Sequence, residues 1–216
     1  MLEVLTNPES FFGKKINEEI EWKTPIAIIA LVIVAKIMSS FILTVGAVGL
    51  FDGLGENGVG EFVSIMLIVR FVIGIFVAII GTLLWWLLYS ALFHVVSSIF
   101  NGEGDFLRVM EFVSYGFIPK IFRSILEVLY GNELLATVGN AINNPGLSGE
   151  AIIADPTLKI APVIIIIFTL WSGYIWTYGL AHSRNISVKN AAIPVAIPVV
   201  LSILYTLFQF RQILMW

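Results

Sequence analysis

The sequence predicts an all-α polytopic membrane helix bundle, about five transmembrane helices plus an amino-terminal interfacial helix. Three observations lead there. Hydrophobic residues make up 58% of the 216-residue chain and charged residues only 12%, where soluble domains run nearer half apolar and a quarter charged. Several apolar runs approach or exceed the roughly 20 residues that a spanning helix needs. Short polar segments rich in glycine or asparagine separate those runs. A soluble domain with a mean hydropathy of +0.96 could not cover its own core with polar surface. Helices are required because lipid offers the backbone no hydrogen-bond partners.

In chain order, residues 1–24 read as a cytoplasmic amphipathic segment and residues 25–216 as the transmembrane domain. Asn7-Pro8 marks a helix start, a capping side chain followed by a residue whose missing N–H is no loss in a first turn. Phe12, Ile16 and Ile20 then recur one turn apart with Lys and Glu between them. That is the pattern of a helix anchored on lipid headgroups, with a face that could also receive a partner. The first apolar run starts only near Pro25, so no cleavable signal peptide is read.

Spans are expected at residues 25–50, 65–100, 106–130, 162–181 and 192–210. Residues 71–93 of the second are uncharged, whereas Glu111, Lys120, Arg123 and Glu127 interrupt the third. Residues 52–60 form a Gly-rich turn, and Asn101-Gly-Glu-Gly-Asp105 a second joint. Between residues 131 and 156, Leu134, Leu135, Val138 and Ile142 fall at helical spacing and predict a short interfacial helix. Gly74, Ala78 and Gly81 place small residues on one stripe, suited to close helix packing. Pro194 and Pro198 are expected to bend the last span. Several of Trp22, Trp85, Trp86, Trp171, Trp176 and Trp216 are expected in aromatic belts.

Orientation follows from basic residues near the span ends. Lys14, Lys15, Lys23, Arg108, Arg184 and Lys189 fall on one side, against only Lys159 and Arg211 on the other. The amino terminus is therefore expected in the cytoplasm and the carboxyl terminus outside, with the cell membrane as the location. Asn185-Ile-Ser187 has the form of a glycosylation sequon, but this orientation leaves it cytoplasmic and unmodified.

Chemistry finds little footing. The chain has no G-x-S-x-G, H-E-x-x-H or P-loop pattern. Cysteine is absent and the net charge is -3, which removes thiolate sites and any electrostatic basis for binding nucleic acid. His94 and His182 both end descending spans and should lie at the inner interface near Asp105 and Glu111. They read either as a metal or proton site or as amphipathic rings at headgroup level. Two histidines without cysteine are thin for a metal, so no metal and no cofactor is expected.

The intramembrane charges Lys36, Arg70, Glu111, Lys120, Arg123 and Glu127 are the strongest anomaly. Each costs roughly 2.5–3.5 kcal/mol at the bilayer centre unless it is paired or snorkels. Lys120, Arg123 and Glu127 share one helical face. Glu127 is expected to pair with Arg123 or Arg70, while Lys36 and Lys120 have no obvious carboxylate. The arrangement reads as an anion or lipid-headgroup pocket, or as long side chains reaching water and carbonyls along a bundle.

The string Phe93-His-Val-Val-Ser-Ser-Ile-Phe-Asn-Gly-Glu-Gly-Asp-Phe106, followed by Tyr115-Gly-Phe-Ile-Pro119, resembles the centre of the Yip domain family. The opening Asn7-Pro8-Glu-Ser-Phe-Phe12 and the closing Gly179-Leu-Ala-His-Ser-Arg-Asn-Ile-Ser-Val-Lys-Asn-Ala191 are similar to prokaryotic members. The resemblance implies five spans, a cytoplasmic amino terminus and, in eukaryotic members, interaction with Rab-type GTPases in membrane traffic. It assigns no residue here to GTPase binding. The function expected is a non-enzymatic membrane scaffold or adaptor, in contact with membrane lipids and with a protein partner at the cytoplasmic face. The alternative is a small transporter or a lipid- or anion-handling protein using the basic face of the third span.

Overall fold

The computed structural model of the chain describes residues 3–52, 59–143 and 156–211. Its elements are α1 (Glu3–Thr6), α2 (Pro8–Lys15), α3 (Lys23–Asp52), α4 (Val59–Ser97) with a closing 3₁₀ turn (Ser98–Phe100), α5 (Phe106–Tyr115), α6 (Ile118–Asn143), α7 (Pro156–Ser183) and α8 (Val188–Gln209). No strand occurs among the described residues. The Gly-rich turn expected at residues 52–60 lies mostly outside them, as does Trp216.

Among the described residues, four stretches are long and apolar enough to cross a membrane: Lys23–Phe51, Gly60–Phe100, Lys159–Ser183 and Val188–Gln209. Their outward faces carry exposed Leu31, Val34, Ile73, Val77, Leu84 and Leu201. In water so much contiguous apolar surface would drive association; against hydrocarbon it is the solvated face. The chain is a helical integral membrane protein.

The stretch expected as a third span at residues 106–130 is divided. α5 ends at Tyr115 and α6 begins at Ile118. Pro119 has no N–H to return to the Tyr115 carbonyl, so one helix cannot run through. Two indoles add bonds to α5 carbonyls: Trp86 Nε1 donates to Met110 O at 2.9 Å and Trp176 Nε1 to Val113 O at 2.8 Å. A Cβ at Gly116 would overlap the Trp176 ring, so only glycine fits where α5 meets α7.

α6 then continues to Asn143, well past the expected end of the span. Gly131 sits against Leu43, Gly46 against Leu135 and Gly139 against Leu50. The offset in residue number is nearly constant, so α6 runs parallel to α3 and level with it. Leu134, Leu135 and Val138 belong to this helix and do not form the separate interfacial helix expected. The Ile142 side chain and residues 144–155 fall outside the described residues.

The amino-terminal segment also departs from expectation. The Asn7 side chain caps α2 by accepting from the Ser10 N–H at 3.2 Å, with Pro8 in the first turn. Phe12 does not rest on the bundle surface; it is fully buried, 4.8 Å from the Phe112 ring and 5.7 Å from Tyr115. Trp171 Nε1 donates to Leu5 O at 3.1 Å, and Gly13 lies against His182. α1 and α2 are thus docked along α7. Three tryptophans expected in part for the belts (Trp86, Trp171 and Trp176) spend their N–H groups on main-chain carbonyls within the bundle, whereas Trp85 is exposed. The small-residue stripe is loosely packed: a Cβ placed on Gly74 would meet Ser40 Oγ of α3 at 3.9 Å, and nothing lies within 4 Å of one placed on Gly81. Pro194 and Pro198 are buried inside α8, whose start is capped by Ser187 Oγ accepting from the Asn190 N–H at 3.2 Å.

Candidate functional site

One end of the bundle is tied together by Arg184, just beyond α7. Its Nε donates to Ser97 Oγ at 2.9 Å, and Nη2 donates to Ser98 Oγ at 3.1 Å. Its two terminal nitrogens also donate to the Gly102 and Gly104 carbonyls. The Glu103 N–H returns a bond to Arg184 O at 2.9 Å. Gly104 has φ +120°, and a Cβ there would overlap the Ser183 carbonyl. The Asn101–Asp105 joint is therefore a cradle for one guanidinium, and Asp105 closes it by capping α5 through the Leu107 N–H at 3.3 Å.

The docked amino-terminal segment brings a second charged cluster to α5. Glu111 is fully buried. Arg108 Nη1 donates to it at 2.6 Å, Lys15 Nζ stands at 3.6 Å, and the Glu21 N–H reaches it at 3.4 Å. Lys15 is itself buried and also pairs with Glu18 at 3.0 Å. Arg108 donates further to the Glu18 carbonyl. A carboxylate shut away from solvent is stable only with such partners. Glu111 therefore fastens the amino-terminal segment to α5.

His94 and His182 lie at this same end, three residues before Ser97 and two before Arg184 respectively. Their surroundings differ. His94 packs edge-on against Phe106 at 5.5 Å with its Nδ1 buried and without a hydrogen bond among the described residues, whereas His182 lies against Gly13. No group of three or more His, Asp or Glu fit to hold a metal occurs among the described residues.

The remaining intramembrane charges resolve one by one. Arg123 Nε lies 2.7 Å from Glu127 Oε1, so Glu127 takes Arg123 as its partner, and no ion pair is formed by Arg70 among the described residues. Lys120 has no carboxylate partner among the described residues. Its Nζ sits 4.0 Å from the Phe117 ring centre, 5.3 Å from Tyr89 and 5.5 Å from Trp176, an aromatic cage that stabilises a cation through the ring quadrupoles. Lys36 Nζ donates to Thr82 Oγ1 at 3.0 Å. Lys36, Arg70 and Glu127 also border a cleft of about 660 Å³ between α3, α4 and α6. The expected basic face of the third span is thus split, with Lys120 drawn into the aromatic core and Arg123 neutralised by Glu127.

Sequence reasoning used Lys15, Arg108 and Arg184 only as orientation charges and missed their structural work. For Arg184 a signal existed in the glycines at 102 and 104, which make room for a close approach. For Lys15 there was none, since its neighbour Lys14 is an exposed partner of Glu3 at 2.7 Å.

A Yip1 domain family model matches residues 2–209. An uncharacterized protein of Methanocaldococcus jannaschii is 30% identical over 128 residues, which cover 59% of this chain and 85% of that protein. No solved structure matches the chain.

Proposed function

From the premise that the chain belongs to the Yip1 domain family, we propose that it is a non-enzymatic membrane scaffold or adaptor that presents a fixed cytoplasmic cap to a protein partner. The cap consists of α2, the 101–105 joint, α5 and the α7–α8 turn. The observation that carries this reading is where charge is spent. Lys120, Arg123, Glu127 and Glu111 are satisfied inside the bundle, while Lys14, Glu18 and Lys189 stand exposed on the cap. The proposed topology has five spans, α6 being the fifth because it runs level with α3, with the amino terminus in the cytoplasm and the carboxyl terminus outside in the cell membrane.

Site-specific photocrosslinking in native membranes tests the reading. A crosslinker at Lys14 or Lys189 is expected to give a discrete protein adduct, and one at the lipid-facing Leu201 none. Absence of any protein adduct from both cap positions would overturn the scaffold assignment.

A second reading, a small transporter or a lipid- or anion-handling protein, is favoured by the cleft between α3, α4 and α6. It rests on that cleft and on Arg70, since Lys120 and Arg123 are already engaged.

A further inference from the structure

We propose that the cleft between α3, α4 and α6 holds one anionic phospholipid, its phosphate on Arg70 and its hydrocarbon chain along Ile73 and Val77. This deepens the second reading by naming the ligand class and the residue that recognises it, and it is compatible with a scaffold.

The cleft is amphipathic in the way such a ligand requires. Ser39, Ser40 and Thr44 of α3 give its wall hydroxyl groups, and Lys36 stands at its border. Ile73 and Val77 on α4 are among its lining residues and are also exposed on the outer apolar surface, so the cleft opens sideways to hydrocarbon. Charge complementarity sets the sign of the headgroup. Among the lining residues Lys36 and Arg70 face one carboxylate, Glu127, which is already bound by Arg123. Arg70 is exposed and has no ion pair among the described residues. A guanidinium in that position is matched by phosphate, which it can bind through two parallel N–H donors. A carbonyl or a water would solvate this charge without neutralising it, whereas a phosphate supplies the countercharge.

Depth is consistent with a headgroup. α4 has 39 residues, and at 1.5 Å per residue that is roughly 58 Å, nearly twice the ~30 Å hydrocarbon core. Arg70 lies in the first third of the helix, and its long side chain can reach toward the headgroups. The small side of α4 also leaves space: a Cβ on Gly74 would meet only Ser40 Oγ, at 3.9 Å.

The test uses the purified full chain in non-ionic detergent. Thermal unfolding and native mass spectrometry are followed with added phosphatidylglycerol, phosphatidylcholine or inorganic phosphate. Phosphatidylglycerol is expected to bind as a single copy and to raise the unfolding temperature, and the other two to do neither. Arg70→Gln should weaken phosphatidylglycerol binding by about tenfold, whereas Lys189→Gln, which removes the same charge from the cap, should not. Gly74→Leu keeps Arg70 but fills the cleft, and it should also abolish the single bound copy. Each variant's unfolding temperature without lipid shows whether it is folded.

Unchanged binding in Arg70→Gln or Gly74→Leu, with phosphatidylglycerol still preferred, would overturn this site and leave lipid handling standing. An equal response to phosphatidylcholine would overturn the charge selection. A response to inorganic phosphate would make it a free-anion site. No binding of any of the three would remove both this proposal and the second reading.

Discussion

The Trp176 indole fills the space over Gly116 and donates from Nε1 to the Val113 carbonyl at 2.8 Å. Pro119 breaks the helix, and this one ring then fixes where α7 sits against the break. A larger residue at 116 and a smaller one at 176 should injure the same joint from opposite sides.

Gly116→Ala forces the Trp176 ring out of its seat. Overpacking of this kind costs about 1–3 kcal/mol, so the thermal unfolding temperature in detergent should fall clearly. Trp176→Phe keeps most of the ring but removes the indole bond to the Val113 carbonyl, which still accepts from the Gly116 N–H at 3.2 Å, so the cost should be about 0.5–1.5 kcal/mol. Combining the two should cost less than their sum, because the smaller ring relieves the new methyl group.

Arg184→Lys should be nearly as harmful as Arg184→Ala. The guanidinium bridges Ser97, Ser98, Gly102 and Gly104 at once, a fan that a single ammonium cannot reproduce. The expected consequence is early opening of the 101–105 joint, read as faster backbone hydrogen exchange at Glu103. Exchange unchanged in Arg184→Lys would show that the clamp does not hold the joint.

The two carboxylates of α5 and α6 should differ sharply. Glu111 is fully buried between two cations, and removing one partner of such a cluster costs about 3–5 kcal/mol. Glu127 and Arg123 are both partly exposed, so Arg123 can turn its charge toward the headgroups once its partner is gone, and Glu127→Ala should cost less than the loss of Glu111. Glu127→Gln, which keeps an acceptor, should cost less still. Unfolding temperatures ordered the other way would contradict the account of where the bundle stores its charge.

How much of this was legible depends on the distance over which each signal acts. α3, α4, α7 and α8 are long apolar runs with few charges inside them, and local composition suffices for them. The Arg123–Glu127 pair follows from i,i+4 spacing alone. The α5–α6 break had a local sign in Pro119, whose missing N–H interrupts the helix. α6 runs on through Asn132 and Glu133 because Gly131 and Gly139 let it lie against Leu43 and Leu50, a tertiary cause that periodicity does not carry. The Lys120 cage joins residues 89, 117 and 176, and no spacing rule brings α4, α7 and the α5–α6 turn together on one amine. The docking of Phe12 is hidden for the same reason, since a helix face reads alike whether it meets lipid or Phe112.

The claim on which the rest depends is that α6 completes an odd number of spans, setting the charged cap and the carboxyl terminus on opposite sides of the membrane. The chain has no cysteine, so single cysteines at Lys14 and Arg211 can be probed in intact cells with a membrane-impermeant maleimide. The account predicts that Lys14→Cys stays unlabelled until the membrane is opened and that Arg211→Cys labels at once. Labelling of both positions, or protection of both, would contradict it.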